Sequence, residues 1–226
     1  MGLFPSVSAI ILTMNADRNI APLIQSIRNQ TVVPCEIIVA DSESVDKTVS
    51  IAKDLGARIL PIKRSEFNHG GTRDYALKQS TGKYVLFLTH DAVPANKFLI
   101  ERLVDTLESS PKMAAVYGRQ LPREDATYME RLVRDYNYPA EGHVYEIKDI
   151  PVHGIKTFFM SDVCALYRRD IYEKIGGFET DIKTNEDMFY AASAINNGYA
   201  VGYAADAEVV HSHNFSLREQ YQRNFI

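Results

Sequence analysis

An α/β domain with a mostly parallel sheet flanked by helices is what this sequence predicts. Three observations carry that prediction. Short apolar runs at residues 7–12, 36–40 and 84–88 alternate with stretches of helical periodicity. Each run leads into a polar or acidic residue: Thr13, Asp41 and, by way of Thr89-His90, Asp91. Alternation of this kind builds a parallel sheet with helices on both faces.

Residues 7–12 read as a buried strand. Ile20, Leu23, Ile24 and Ile27 then recur at the three-to-four spacing of an amphipathic helix. Residues 36–40 form the second strand, ending at Asp41. Ser44 or Asp46 can cap the helix that follows, and Gly56 can end it. Residues 58–62 make a short strand, placed at a sheet edge by Pro61. Gly70 and Gly71 open a helix that stops near Gly82, and residues 84–88 are the fourth strand. In open sheets of this type ligands bind beyond the carboxyl ends of the strands, so Thr13, Asp41 and Asp91 should gather at one pocket.

The second half is less regular. It reads as a helix at 96–107, a strand at 113–117 and a loop-bearing, partly helical insertion at 120–152. Residues 158–167 look extended, 170–175 helical, and a further helix runs from Asn185 to Gly198. Two late strands, 199–203 and 208–210, lead to His211-Ser212-His213.

The 226 residues suffice for one domain with a large core. A net charge of -4, from 25 basic and 29 acidic residues, argues against a nucleic-acid partner. Cys35 and Cys164 have no metal-ligand spacing and read as buried free thiols of a reducing compartment. Residues 1–6 lack the basic start of a signal, and no apolar run reaches the length of a membrane span. The expected location is the cytoplasm, with peripheral contact at the inner face of the plasma membrane left open.

Five features could carry chemistry. Asp41 could accept a hydrogen bond from the imide N–H of uracil or thymine, or simply cap the next helix. Gly70-Gly71-Thr72-Arg73 could receive an anion at a helix start, with Arg73 forking to a phosphate or base; equally, the glycines could only make a turn. Asp91 could hold Mg2+ or Mn2+ against a diphosphate, or be a turn aspartate before Pro94. Glu186 or Asp187 could take a proton from an attacking hydroxyl. Against that, Thr184 and Asp187 have the spacing of a capping box. Finally, His211 or His213 could complete a metal site; on an extended segment alternate residues face opposite sides, so one of the two is expected to enter the pocket.

Taken together, these segments resemble the inverting GT-A glycosyltransferases of family 2. The resemblance covers almost the whole chain. Leu12-Thr13-Met14-Asn15 matches the element that ends the first strand, and Val39-Ala40-Asp41-Ser42-Glu43-Ser44-Val45-Asp46-Lys47-Thr48 matches the acidic motif after the second. His69-Gly70-Gly71-Thr72-Arg73-Asp74 matches the glycine-and-arginine segment. Gly176-Gly177-Phe178, Glu186-Asp187, Gly198-Tyr199 and His211 follow in the family's order. One departure matters: the family's Asp-x-Asp metal motif reads Thr89-His90-Asp91, so its first carboxylate is absent. A threonine there, with Phe67-Asn68-His69 and Phe159-Met160-Ser161-Asp162, is most similar to the rhamnosyltransferase branch.

The resemblance implies a GT-A, Rossmann-like, mixed but mostly parallel sheet in one domain over 1–226, with a nucleotide-binding half to about residue 95 and an acceptor half beyond it. It implies donor contacts from Thr13, Asn15, Asp41, Arg73, His90 and Asp91. Asp91 and His211 would hold the divalent metal. Asp187 would be the base, with Glu186 as its alternative and no covalent intermediate. The donor would be a dTDP- or UDP-sugar, dTDP-rhamnose above all. The acceptor would be a glycan or lipid-linked glycan of a surface polysaccharide, met by the insertion at 120–152. Members of the branch continue past the point where this sequence stops, so a C-terminal helical part is expected in addition. Two rivals stay open at this level. A sugar-phosphate nucleotidyltransferase shares the topology but wants a glycine-rich loop where Thr13-Met14-Asn15 stands. A non-catalytic nucleotide-sugar binder would explain the missing carboxylate at Thr89.

Overall fold

The structure is a computed structural model in which residues 5–223 are described. Most of the 1–6 stretch, and the last three residues, lie outside them. The strands are β1 (Val7–Thr13), β2 (Glu36–Asp41), β3 (Arg58–Pro61), β4 (Tyr84–Thr89), β5 (Val93–Pro94), β6 (Met113–Leu121), β7 (His143–Tyr145), β8 (Cys164–Arg168) and β9 (Ala200–Val210). The helices are α1 (Ile20–Arg28), α2 (Thr48–Asp54), α3 (His69–Lys78), α4 (Leu99–Glu108), α5 (Tyr128–Asn137), α6 (Ile150–His153), α7 (Arg169–Lys174), α8 (Glu186–Asn196) and α9 (Leu217–Arg223).

One sheet runs in the order β3-β2-β1-β4-β8-β6-β9-β5, with β7 paired to β9. β3, β2, β1 and β4 are parallel, as are β6 and β9. β8 is inserted antiparallel between β4 and β6. The predicted mixed, mostly parallel sheet is therefore observed, and β3 is the edge strand that Pro61 implied.

The unbroken apolar runs have a simple cause: both faces of β1 are covered. Val7, Ala9 and Ile11 face one core cluster with Ile20, Leu23, Ile24 and Ile27 of α1 and Leu99, Leu103 and Leu107 of α4. Ile10 and Leu12 face the opposite cluster with Ala76 and Leu77 of α3, Tyr172 of α7 and Tyr190 of α8. A run buried on both sides cannot alternate with polar residues.

Of the two cysteines, Cys164 is buried as expected but Cys35 is exposed, because it stands in the loop just before β2. Several sequence-based boundaries also need correction. The two late strands are one, β9, because a shift in its register with β6 between Gly118 and Arg119 lets it stay paired through an irregularity. Residues 154–158 form a 3-10 turn, so the extended stretch expected at 158–167 shrinks to β8. β7 and α9 escaped the sequence reading: both are short and lack a periodic apolar pattern. No helix among the described residues is long and apolar enough to cross a membrane.

Candidate active site

Strand polarity decides which residues meet. Thr13 pairs with Asp41 and Leu12 with Thr89, so β1, β2 and β4 end at one edge of the sheet. β6 and β9 deliver Gln120 and His211 to the same edge. Because β8 runs the other way, its beginning rather than its end lies there, which brings in Ser161 and Asp162. A cavity of about 770 Å³ opens over this edge. Thr13, Arg73, His90, Asp91, Glu186, Asp187 and His211 all line it; Asn15 and Asp41 do not.

The first loops are locked by short hydrogen bonds. Asp41 is buried and accepts from the Thr13 hydroxyl at 3.0 Å, the Ser44 N–H at 2.9 Å and the Ser44 hydroxyl at 2.5 Å. Asn15 takes a left-handed conformation, with φ 53°, and its Oδ1 accepts from the Val45 N–H at 2.9 Å. Both side chains therefore fix the loop geometry, while Thr13 and the neighbouring Ser42 present atoms to the cavity. The Ser42 hydroxyl is buried with no hydrogen-bond partner among the described residues, which leaves it able to donate to or accept from a ligand.

Four charged groups form the cavity floor. Arg73, on α3, is 4% exposed. Its Nη1 lies 2.5 Å from Glu186 Oε1, and its Nε lies 3.2 Å from Asp162 Oδ2. The guanidinium fork closes on protein carboxylates, and Arg73 also lines the cavity. Asp187 accepts from the N–H of Asp162 at 3.1 Å and of Met188 at 2.8 Å. The capping box also fails to form. Asn185 is the N-cap residue of α8, at φ 66°, and makes no side-chain cap bond. That left-handed turn, which Asn tolerates better than most residues, starts α8 so that Glu186 and Asp187 both reach the cavity.

One guanidinium faces three carboxylates, and little water reaches them. Burial pushes the Asp162 carboxyl up to about 8, with the charges of Asp187 and Glu186 adding to the effect and Arg73 opposing it. Burial and the Glu186 charge also raise Asp187 above the ordinary aspartate range. A carboxyl whose pKa is raised on folding stabilises the fold at low pH, and that contribution is lost as pH climbs toward the folded value. Stability should accordingly decline between about pH 4 and pH 8. Asp162→Asn should flatten that decline in a melting-temperature series; an unchanged slope would assign the proton elsewhere in the cluster.

Asp91, His211 and His213 form a group that could hold a metal ion. The Nε2 atoms of His211 and His213 lie 3.4 and 3.5 Å from Asp91 Oδ2. One ligand atom from each residue falls within 4.8 Å of the others. Burial would raise the Asp91 carboxyl; when the His211 ring is protonated, its hydrogen bond and charge outweigh burial and hold Asp91 below the ordinary range. The expectation that only one histidine enters is overturned. The chain leaves β-structure after Val210, so strict alternation does not apply, and the two rings pack edge-on at 4.7 Å. Two imidazoles and a carboxylate form a donor set that can hold a divalent ion. His213 thus adds a third donor atom to the group, where the Asp-x-Asp motif has lost one.

The model of glycosyl transferase family 2 matches residues 8–176. The chain belongs to that family. It is 43% identical to the O-antigen chain rhamnosyltransferase RfbN of Salmonella typhimurium (strain LT2), over 97% of this chain and 70% of the relative. It is 41% identical to the O-antigen chain rhamnosyltransferase WbaN of Salmonella anatum, over 98% of this chain and 70% of that one. Among solved structures, the mannosyltransferase PcManGT of Pyrobaculum calidifontis, in complex with GDP-Man and Mn2+, superposes with a TM-score of 0.70 at 21% identity. That likeness covers 97% of this chain but 60% of the mannosyltransferase. TarS of Staphylococcus aureus, residues 1–349 with UDP-GlcNAc, gives a TM-score of 0.69 at 18% identity, over 95% of this chain and 60% of TarS. Both likenesses fall at the level of fold, and the fold is that of the GT-A glycosyltransferases. Family membership also removes the nucleotidyltransferase rival.

Several residues of this family 2 domain's cavity were not singled out as site residues from the sequence. Ser42 hid beside the more conspicuous Asp41. Asp162 was visible only as part of a branch-like motif, and Gln120, Glu130 and Arg134 lay in an insertion without a motif. The antiparallel insertion of β8 brings in Asp162, the parallel pairing of β6 with β9 brings in Gln120, and α5 brings in Glu130 and Arg134.

Proposed function

We propose that this family 2 glycosyltransferase moves rhamnose from dTDP-rhamnose to a hydroxyl of a growing surface polysaccharide, by direct displacement with inversion. The observation that carries the reading is a single cavity holding both the Asp91-His211-His213 group and the half-buried Asp187. Its rhamnosyltransferase relatives support the choice of sugar and of an O-antigen acceptor. A lipid-linked glycan reached at the inner face of the membrane fits the same chemistry.

Asp187 is the base. Its carboxylate accepts the acceptor's proton as the hydroxyl oxygen attacks the anomeric carbon and the bond to the diphosphate breaks. The raised pKa of Asp187 brings it nearer the working pH, where a base is most effective. Glu186, bound to Arg73, holds the floor in place. Thr13, Ser42 and His90 meet the nucleotide, while Asp41 and Asn15 shape the loops that present it. No second carboxylate is needed as a nucleophile, because the donor already carries a good leaving group. Two imidazoles favour a transition ion over Mg2+, so Mn2+ is the metal assigned to Asp91, His211 and His213. When bound, it supplies positive charge that offsets the charge developing on the departing diphosphate.

The test is transfer from dTDP-rhamnose to an O-antigen-type acceptor, read as free dTDP and inverted product. Rhamnosylated product formed with Mn2+ and absent after chelation is the expected result. Turnover that survives exhaustive chelation would remove the metal from the reading. Asp91→Ala should lose both the Mn2+-dependent rise in melting temperature and the transfer, since a ligand bound only by the native state stabilises it. Donor binding without turnover over an acceptor panel would favour the nucleotide-sugar binder instead.

A further inference from the structure

Gln120, near the end of β6, is 2% exposed and has four polar neighbours. Its Nε2 donates to the Tyr138 hydroxyl at 2.6 Å and to the Ser161 hydroxyl at 2.9 Å. Its Oε1 accepts from Arg134 Nη1 at 2.5 Å and lies 2.9 Å from His211 Nδ1. An amide group can be turned end for end, so its orientation needs an independent reason. Arg134 provides one. A guanidinium only donates, so the amide atom facing it must be the oxygen.

The same oxygen faces His211. A carbonyl oxygen only accepts, so His211 Nδ1 must carry the ring hydrogen. The neutral ring then keeps its lone pair on Nε2, the atom that stands 3.4 Å from Asp91 Oδ2. Arg134 is fixed in turn. Glu130 Oε1 lies 2.8 Å from Arg134 Nε and 2.7 Å from Nη2, and it also accepts from the His213 N–H at 3.3 Å. α5 buries none of its residues, and polar contacts hold it against the histidine segment. Arg123 N–H donates to the Ser212 hydroxyl at 3.0 Å, and Thr127 N–H to Asn214 Oδ1 at 2.9 Å.

We infer that Gln120, itself oriented by Arg134, is the positioning residue of the metal site. It sets His211 in the Nδ1–H tautomer and presents Nε2 as the ligand. The inference rests on the reading of Asp91, His211 and His213 as a divalent-metal site. Partners of this kind, outside the ligands themselves, fix ring orientation, and their loss weakens metal binding by roughly 10–100-fold.

Two measurements test it. Nitrogen-15 NMR of the metal-free protein, at a pH where imidazoles are neutral, should show His211 protonated at Nδ1 and bare at Nε2. The reverse tautomer overturns the inference, and this measurement needs no variant. Mn2+ titration followed by electron paramagnetic resonance then compares wild type, Gln120→Met and Gln120→Glu. Gln120→Met should bind Mn2+ about 10–100-fold more weakly. Gln120→Glu should stay close to wild type, because its carboxylate still accepts from Nδ1–H and from Arg134. Wild-type affinity in a folded Gln120→Met protein overturns the role, as does a Gln120→Glu protein as weak as Gln120→Met. Failure of the metal reading itself is distinct: it shows as wild-type protein that binds no Mn2+.

Discussion

Asp187→Asn should remain folded, bind donor nearly as wild type and lose transfer by about 10²–10⁴-fold, the usual worth of a general base. A purely structural role at the start of α8 predicts a different result. Asp187 is not the N-cap residue of α8, which is Asn185, but it stands in the first turn. Its side chain does accept the N–H groups of Asp162 and Met188. Asparagine can still accept both through its amide oxygen, but it cannot take a proton. Single-turnover rates, donor affinity and melting temperature, measured together, separate the two roles. Near-normal chemistry in the variant would take the base away from Asp187. Glu186→Gln should slow transfer less, because Glu186 acts through Arg73. The pH profile offers a second check. Burial raises Asp187, so the acid limb of the rate profile should lie above the ordinary aspartate range. A limb at the ordinary position would mean that the base is a more exposed group.

The largest expected effect on stability belongs to Arg73. Its guanidinium is buried against Asp162 and Glu186. Removing one partner of a buried ionic group leaves uncompensated charge and costs about 3–5 kcal/mol. For a domain of this size each kcal/mol moves the melting temperature by roughly 2–4 °C, so Arg73→Met should melt about 6–20 °C lower. The deficit should grow with pH, as more of the three carboxylates ionise without their cation. A second substitution keeps the argument testable if the single variant is too unstable to study. Adding Glu186→Gln removes the carboxylate that Arg73 holds at 2.5 Å and should recover part of the loss. A double variant no more stable than Arg73→Met would mean that the arginine contributes by packing, beside the Phe87 ring for instance, rather than by charge.

The sequence by itself determined the sheet strands of the first half and the helix faces that cover them. It also marked the polar residues at their ends. These are local properties: an apolar run buried on both faces, or Ile20, Leu23, Ile24 and Ile27 at helical spacing, reads the same before folding as after. The same holds for Asp91 and for Glu186-Asp187, conspicuous because each stands alone after or before an apolar pattern. What only the tertiary structure decided is which distant groups share a charge or a proton. Arg73 carries no local sign that its partners are Asp162 and Glu186 rather than a phosphate; β8, entering antiparallel, puts Asp162 beside it. Nor could His211 and His213 both be placed in the pocket while their segment was read as extended. Irregular backbone after Val210 turns both rings toward Asp91. Gln120 is the extreme case, a neutral residue in a stretch without a motif. Its place beside His211 comes from the parallel pairing of β6 with β9, and the amide's orientation from Arg134 on α5. Long-range pairing, unlike periodicity, leaves no trace at either partner's own position.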